Sequence, residues 1–158
     1  MSEAQAVDAQ AVAQLAGRTM LARDAASCAL GMELVEIRPG YARMTMPVDA
    51  RMINGHAICH GGYIFMLADS AFAFACNSYN HNPVGAGCSI EYLSPAREGE
   101  LLCAEAVEQA VCGNTGVYDV KVSTQDGRVV ALVRAKSHRI GGQVAELTNL
   151  QEAHGQGI

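Results

Sequence analysis

The chain has 158 residues, half of them apolar and 17% charged, which excludes an intrinsically disordered segment and fits one domain that can bury its own core. Its formal charge of −5, with 11 Lys and Arg spread along the sequence, offers no basic patch for nucleic acid or for an anionic membrane. No apolar run reaches the ~18 residues of a membrane span.

The opening MSEAQAVDAQ is polar and acidic, without the basic start and apolar stretch of a secretory leader. Six cysteines follow (Cys28, Cys59, Cys76, Cys88, Cys103 and Cys112), several within apolar runs and none in a CxxC pair. Reduced, core-packed thiols in the cytoplasm are the expectation.

Ala, Leu, Met and Val recur at helical spacing through the first 30 residues, which predicts a helix within 8–30, with Gly31 as its C-terminal stop. From Gly40 the period changes to two. Ala42, Met44, Met46 and Val48 alternate with Tyr41, Arg43, Thr45 and Pro47, the pattern of a half-buried strand. Asn54-Gly55 marks a turn.

Residues 61–76 read GGYIFMLADSAFAFAC. From Tyr63 to Cys76, 12 of 14 residues are apolar or Tyr, and the exceptions, Asp69 and Ser70, are adjacent. No polar stripe runs along this segment, so it predicts a central helix wrapped by the rest of the protein. Strands are predicted at 86–93, 100–112, 115–124 and 128–139, with Val117, Asp119 and Lys121 on one face of the third and Tyr118, Val120 and Val122 on the other. Asp126-Gly127 signals a two-residue hairpin, and the short connections predict a mostly antiparallel sheet. The expected class is α+β, a single domain over 1–158 in which an antiparallel sheet of five or six strands curls around one long helix. The polar, Gly-rich tail from about residue 143 is expected to be loose. A sheet of that size cannot cover a helix that is apolar on every side, so a homodimer is expected.

A carboxylate inside an apolar helix is costly unless it is paired or performs chemistry. Asp69 either bonds a backbone amide or a neighbouring Ser, faces solvent through a gap in the sheet, or is functional. His60-Gly61-Gly62 precedes the helix, where glycines admit a ligand to the backbone and helix-start amides are unpaired donors at the positive end of the macrodipole. Such donors suit a developing oxyanion, although Gly pairs also mark ordinary turns. Gly61 and Asp69 are eight residues apart, roughly 12 Å along a helix. One chain cannot bring both within about 3 Å of one carbonyl, whereas two helices packed antiparallel across a two-fold axis can.

The segment NGHAICHGGYIFMLADSAFAFACNS resembles the core motif of the hotdog-fold thioesterases, above all the PaaI family of phenylacetic-acid-degradation thioesterases. The resemblance continues through SIEYLSPAREGE, TGVYDV and AKSHRIGG, and covers nearly all of the chain except its first few residues and the tail beyond Gly142. It implies a hotdog fold, dimers that share a continuous sheet, and commonly a dimer of dimers. It implies hydrolysis of aryl- or arylacetyl-CoA thioesters, including phenylacetyl-CoA and its ring-hydroxylated derivatives, to free acid and CoA in phenylacetate catabolism. Carried over by position, the Gly61 amide polarises the thioester carbonyl and Asp69 of the partner acts as nucleophile or as base for water. Asn54 and His60 position the thioester or the water, and Gly62 and Ser70 join them as candidate substrate-binding positions. No metal or redox cofactor is implied, since CoA is part of the substrate. Related animal thioesterases carry a Ser on the strand after the helix; the equivalent position here is Gly85, with Ser89 further along.

Other signals are weaker. His56-x3-His60 with Cys59 has metal-ligand spacing, but Gly55, Gly61 and Gly62 argue against a helix there and the zincin glutamate is missing. Gly87-Cys88-Ser89-Ile90-Glu91 lacks the last Gly of a nucleophile elbow, and Gly85-Ala86-Gly87 lacks the third Gly of a dinucleotide site, so both read as strand. Arg134, Lys136 and Arg139 either meet CoA phosphates or line a solvated strand face. Glu91 and Glu105 read as surface charges, and His81 and His154 have no supporting context. Two rival functions remain. A hotdog hydratase acting on enoyl or hydroxyacyl thioesters would need a partnered His, and none follows Asp69 on the helix. A non-catalytic acyl-CoA binder would bind esters without turnover.

Overall fold

The computed structural model describes residues 8–147. Helix α1 spans Ala9–Leu21, capped by the Asp8 carboxylate, which accepts from the Gln10 amide at 3.1 Å. A second short helix, α2 (Ala25–Ala29), starts afresh because Asp24 accepts from the Ser27 amide at 2.9 Å. The helix expected within 8–30 is therefore two, divided by a cap that competes with continuation. Gly31 ends α2 in the left-handed conformation, φ +65°, as expected.

Six strands follow: β1 (Glu33–Arg38), β2 (Tyr41–Pro47), β3 (Pro83–Tyr92), β4 (Leu101–Cys112), β5 (Thr115–Thr124) and β6 (Val129–Arg139). All pairs are antiparallel, in the order β1-β2-β4-β5-β6-β3. Strand β1 had no prediction. It lies at the edge, a bulge between Leu34 and Glu36 breaks its alternation, and Val35 faces solvent. Gly17 lets α1 lie against it, since a Cβ there would meet Leu34 and Ile37 side chains at 3.0–3.3 Å.

Helix α3 (Gly61–Asn77) crosses the concave face. Leu67, Ala68, Ala71, Phe74 and Ala75 pack with Ala42, Met44 and Met46 of β2, Leu102, Ala104 and Ala106 of β4, and Tyr118, Val120 and Val122 of β5 in one cluster. The registers explain the match. Ala42, Met44 and Met46 stand opposite Ala106, Ala104 and Leu102, so small and large residues fill one layer. Phe72 meets the Tyr118 ring edge-on, centroids 5.5 Å apart.

Two features are left open by this packing. Along α3, Gly62 and Asp69 are exposed and Phe65, Met66 and Ala73 only half-buried, a stripe at three- and four-residue spacing that the sheet does not cover. Strand β3 pairs only with β6 among the described residues, which leaves one side of a ten-residue edge unpaired.

The start of the tail corrects the expectation of looseness. The Asn80 side chain accepts from the Ala145 amide at 2.8 Å and donates to its carbonyl at 2.9 Å, and Ala145 packs against Leu15. Residues 148–158, His154 among them, lie outside the described residues. No helix of the described chain is long and apolar enough to cross a membrane, and all six cysteines are unpaired.

Candidate active site

The segment before α3 is built to hold the helix start in place. Ile53 and Cys59 form an isolated antiparallel bridge, the Cys59 amide donates to Ala96 O at 2.8 Å, and the His60 amide donates to Met52 O at 2.8 Å. Between them the Asn54 carbonyl oxygen, Oδ1, accepts from the amides of His56 at 2.9 Å and Ile58 at 3.4 Å. That Asx-type turn holds Ala57 at φ +57°, a conformation non-glycine residues rarely adopt. Asn54 thus shapes this loop with its oxygen, and its amide NH2 makes no hydrogen bond to the described residues. His56 and His60 lie in loop rather than on a helix, as the glycines predicted, and no three His, Cys, Asp or Glu side chains of the described residues converge as metal ligands.

His60 is the N-cap of α3. Its Nδ1 accepts from the Gly62 amide at 2.9 Å, so the neutral ring carries its proton on Nε2. The His60 carbonyl accepts from the Tyr63 amide at 3.0 Å. The Gly61 amide lies between these bonds and has no acceptor among the described residues. It is an unspent donor at the positive end of a 17-residue helix.

Tyr92, at the end of β3, closes over this glycine. Its hydroxyl donates to Gly61 O at 2.9 Å, and a Cβ on Gly61 would meet Tyr92 Cζ, Oη and Cε1 at 2.9, 3.0 and 3.1 Å. The Gly61 backbone does not require glycine, because its φ is not positive. The requirement is space. Sequence reasoning missed Tyr92, and no local signal could have found it, because the contact joins residues 31 apart on different elements.

Asp69 lies eight residues on, along the uncovered stripe of α3. Asp69 reaches solvent in the single chain, yet its surroundings desolvate the carboxyl enough to push its pKa above the ordinary carboxylate value. Asp49, Asp119 and Asp126, by contrast, are all held below it by hydrogen bonds. Of the alternatives the sequence left open, the single chain shows Asp69 reaching solvent, because the sheet leaves its stripe uncovered. Along α3, Gly61 and Asp69 are about 12 Å apart and do not converge.

The remaining candidates divide. The Gly62 amide is taken by His60. Ser70 is turned to the N-terminal helices, its hydroxyl 3.0 Å from that of buried Ser27. Gly85 stands opposite buried Ser137 on the face towards α3, and a Cβ there would reach ordinary contact distance of Phe72 at 3.6 Å, so a serine would fit where this chain has none. Gly87, Cys88 and Ser89 lie within β3 as strand residues. Arg134 is bound by Asp119 through two bonds of 2.8 Å, and Arg134 and Lys136 alternate with the inward residues Val133, Ala135 and Ser137, so both face away from α3.

A family model described as the thioesterase superfamily matches residues 56–131. The chain is 46% identical over 125 residues to the acyl-coenzyme A thioesterase PaaI of Escherichia coli K12, across 79% of this chain and 89% of that one. The structure of E. coli PaaI, from the phenylacetic acid degradation operon, superposes with a TM-score of 0.85 at 43% identity, covering 86% of this chain and 99% of that one. A Streptococcus mutans protein bound to acetyl CoA superposes with a TM-score of 0.68 at 27% identity, covering 71% and 90%.

Proposed function

The chain belongs to the thioesterase superfamily, in the group that contains PaaI, and from that membership we propose that it hydrolyses acyl-CoA thioesters to a free acid and CoA. Aryl- and arylacetyl-CoA esters, phenylacetyl-CoA and its ring-hydroxylated derivatives among them, are the substrate class, and phenylacetate breakdown is the setting. The observation that carries the reading is α3 itself. It offers an unspent backbone donor at Gly61 and, two turns on, a carboxylate that its surroundings keep harder to ionise than usual.

A second copy completes the site in this reading. The 12 Å between Gly61 and Asp69 keeps one chain from using both on one carbonyl, and an antiparallel α3 from a partner brings its Asp69 beside Gly61. The open stripe of α3 and the β3 edge are the surfaces available for that partner. An unpaired strand of ten residues with a single charge, Glu91, lacks the usual protection against pairing. Two such dimers then associate. The thioester oxygen accepts from the Gly61 amide as negative charge develops, and the partner's Asp69 attacks the carbonyl or deprotonates water. His60 and Asn54 frame the entry through Nε2 and the unused NH2. Polarising a carbonyl and supplying a carboxylate requires no metal or redox group, and unpaired cysteines accord with a cytoplasmic location.

The test is free-thiol release from phenylacetyl, hydroxyphenylacetyl, benzoyl, short-chain and long-chain CoA esters, with Asp69→Asn beside wild type. Turnover favouring the aryl esters is expected, with kcat lower by roughly 10² or more in the variant. Esters that bind without any thiol release would leave an acyl-CoA-binding protein instead. Solvent-oxygen labelling of Asp69 after a single turnover separates the nucleophile from the base.

A further inference from the structure

The Gly61 N–H belongs to the His60–Gly61 peptide, so its direction depends on how the next peptide, between Gly61 and Gly62, is held. Two successive glycines have the widest backbone freedom of any pair, and an oxyanion donor works only if its direction is set before the reaction. The chain nevertheless binds this peptide on both sides. Its N–H, on Gly62, donates to His60 Nδ1 at 2.9 Å, and its carbonyl, on Gly61, accepts from the Tyr92 hydroxyl at 2.9 Å. The first clamp comes from the adjacent residue. The second comes from the far end of β3, a strand hydrogen-bonded to β6, so it ties the helix start to the sheet.

We propose that Tyr92 is a positioning residue for the thioesterase reaction: its hydroxyl fixes the Gly61–Gly62 peptide and thereby aims the free Gly61 amide at the thioester oxygen. The inference rests on the reading of this chain as a thioesterase. One observation beyond the bond itself supports it. The Tyr92 ring fills the space over Gly61 so closely that any side chain there would collide with it, which restrains the glycine from the ring side as well. A tyrosine that only packed here would have no need of its hydroxyl, and this hydroxyl is spent on the carbonyl of the residue that carries the free donor.

The experiment compares Tyr92→Phe with wild type in the full chain. Phenylalanine keeps the ring over Gly61 and removes only the donor. We expect kcat to fall roughly tenfold, the scale of one well-placed hydrogen bond, while KM changes less than twofold and the melting temperature stays within a few degrees. The order parameters of the Gly61 and Gly62 amides, from 15N relaxation, are expected to fall in the variant, because the peptide has lost its tie to the sheet. An unchanged kcat, a loss confined to KM, or unchanged order parameters would each overturn the assignment. Failure of wild type to release thiol from any ester would instead overturn the thioesterase reading, and the clamp would then be decided by the order parameters alone.

Discussion

Gly61→Ala separates the chemistry of this site from its stability. The added methyl would lie 2.9–3.1 Å from three atoms of Tyr92, well inside the ~3.5 Å of an unstrained contact, so the ring must swing outward and release Gly61 O. Tyr92 can move, being 52% exposed. The lost hydrogen bond costs about 0.5–1.5 kcal/mol. Because Gly61 has no positive φ, alanine recovers about 0.4–1 kcal/mol by narrowing the unfolded ensemble. The net change in stability is then below about 1 kcal/mol, or under about 4 °C in Tm for a domain of this size. The chemistry does not share this compensation. The methyl crowds the approach to the free Gly61 amide and loosens the peptide that aims it, so kcat is expected to fall by about 10², as when one oxyanion donor is removed. Thiol release and thermal melting on the same preparation read both quantities. A kcat within threefold of wild type would refute the role given to this amide, and a Tm loss beyond about 8 °C would refute the yielding ring.

The raised pKa of Asp69 sets two pH effects. Its carboxylate is the working form, so kcat is expected to rise with pH through an acid limb lying above the ordinary carboxylate value of about 3.9, and that limb should vanish in Asp69→Asn. Folding raises this pKa, so the group's stabilising contribution is complete below its unfolded value and is lost as pH rises through the folded one. Asp69→Asn is therefore expected to melt above wild type at pH 7, with the gap narrowing towards pH 4; a gap equal at both would refute the desolvation of Asp69. Asn80→Ala removes two bonds to Ala145 and places alanine at φ +62°, a combined cost of roughly 3 kcal/mol and about 6–12 °C in Tm. An unchanged Tm would show that Ala145 is not anchored there.

Much of this molecule was determined by local pattern. The run from Tyr63 to Cys76, apolar but for Asp69 and Ser70, specified α3, and period-two alternation specified β2, β4, β5 and β6, because burial on one face writes directly into residue order. Gly61 and Asp69 were legible for a related reason, as the glycine pair and the lone carboxylate break an otherwise apolar helix. Where pattern failed, a nonlocal contact or a bulge had intervened. The bulge and edge position of β1 erased its alternation, and Asp24 split the first helix by capping the second. Ser70 looked like a companion of Asp69 until the fold brought Ser27 to it from 43 residues away. The anchored Ala145 and the Tyr92 clamp rest likewise on partners 65 and 31 residues distant. Composition and period report which face of an element is buried. Which side chain meets which depends on how the elements are brought together, and that was decided by the curl of the sheet around α3.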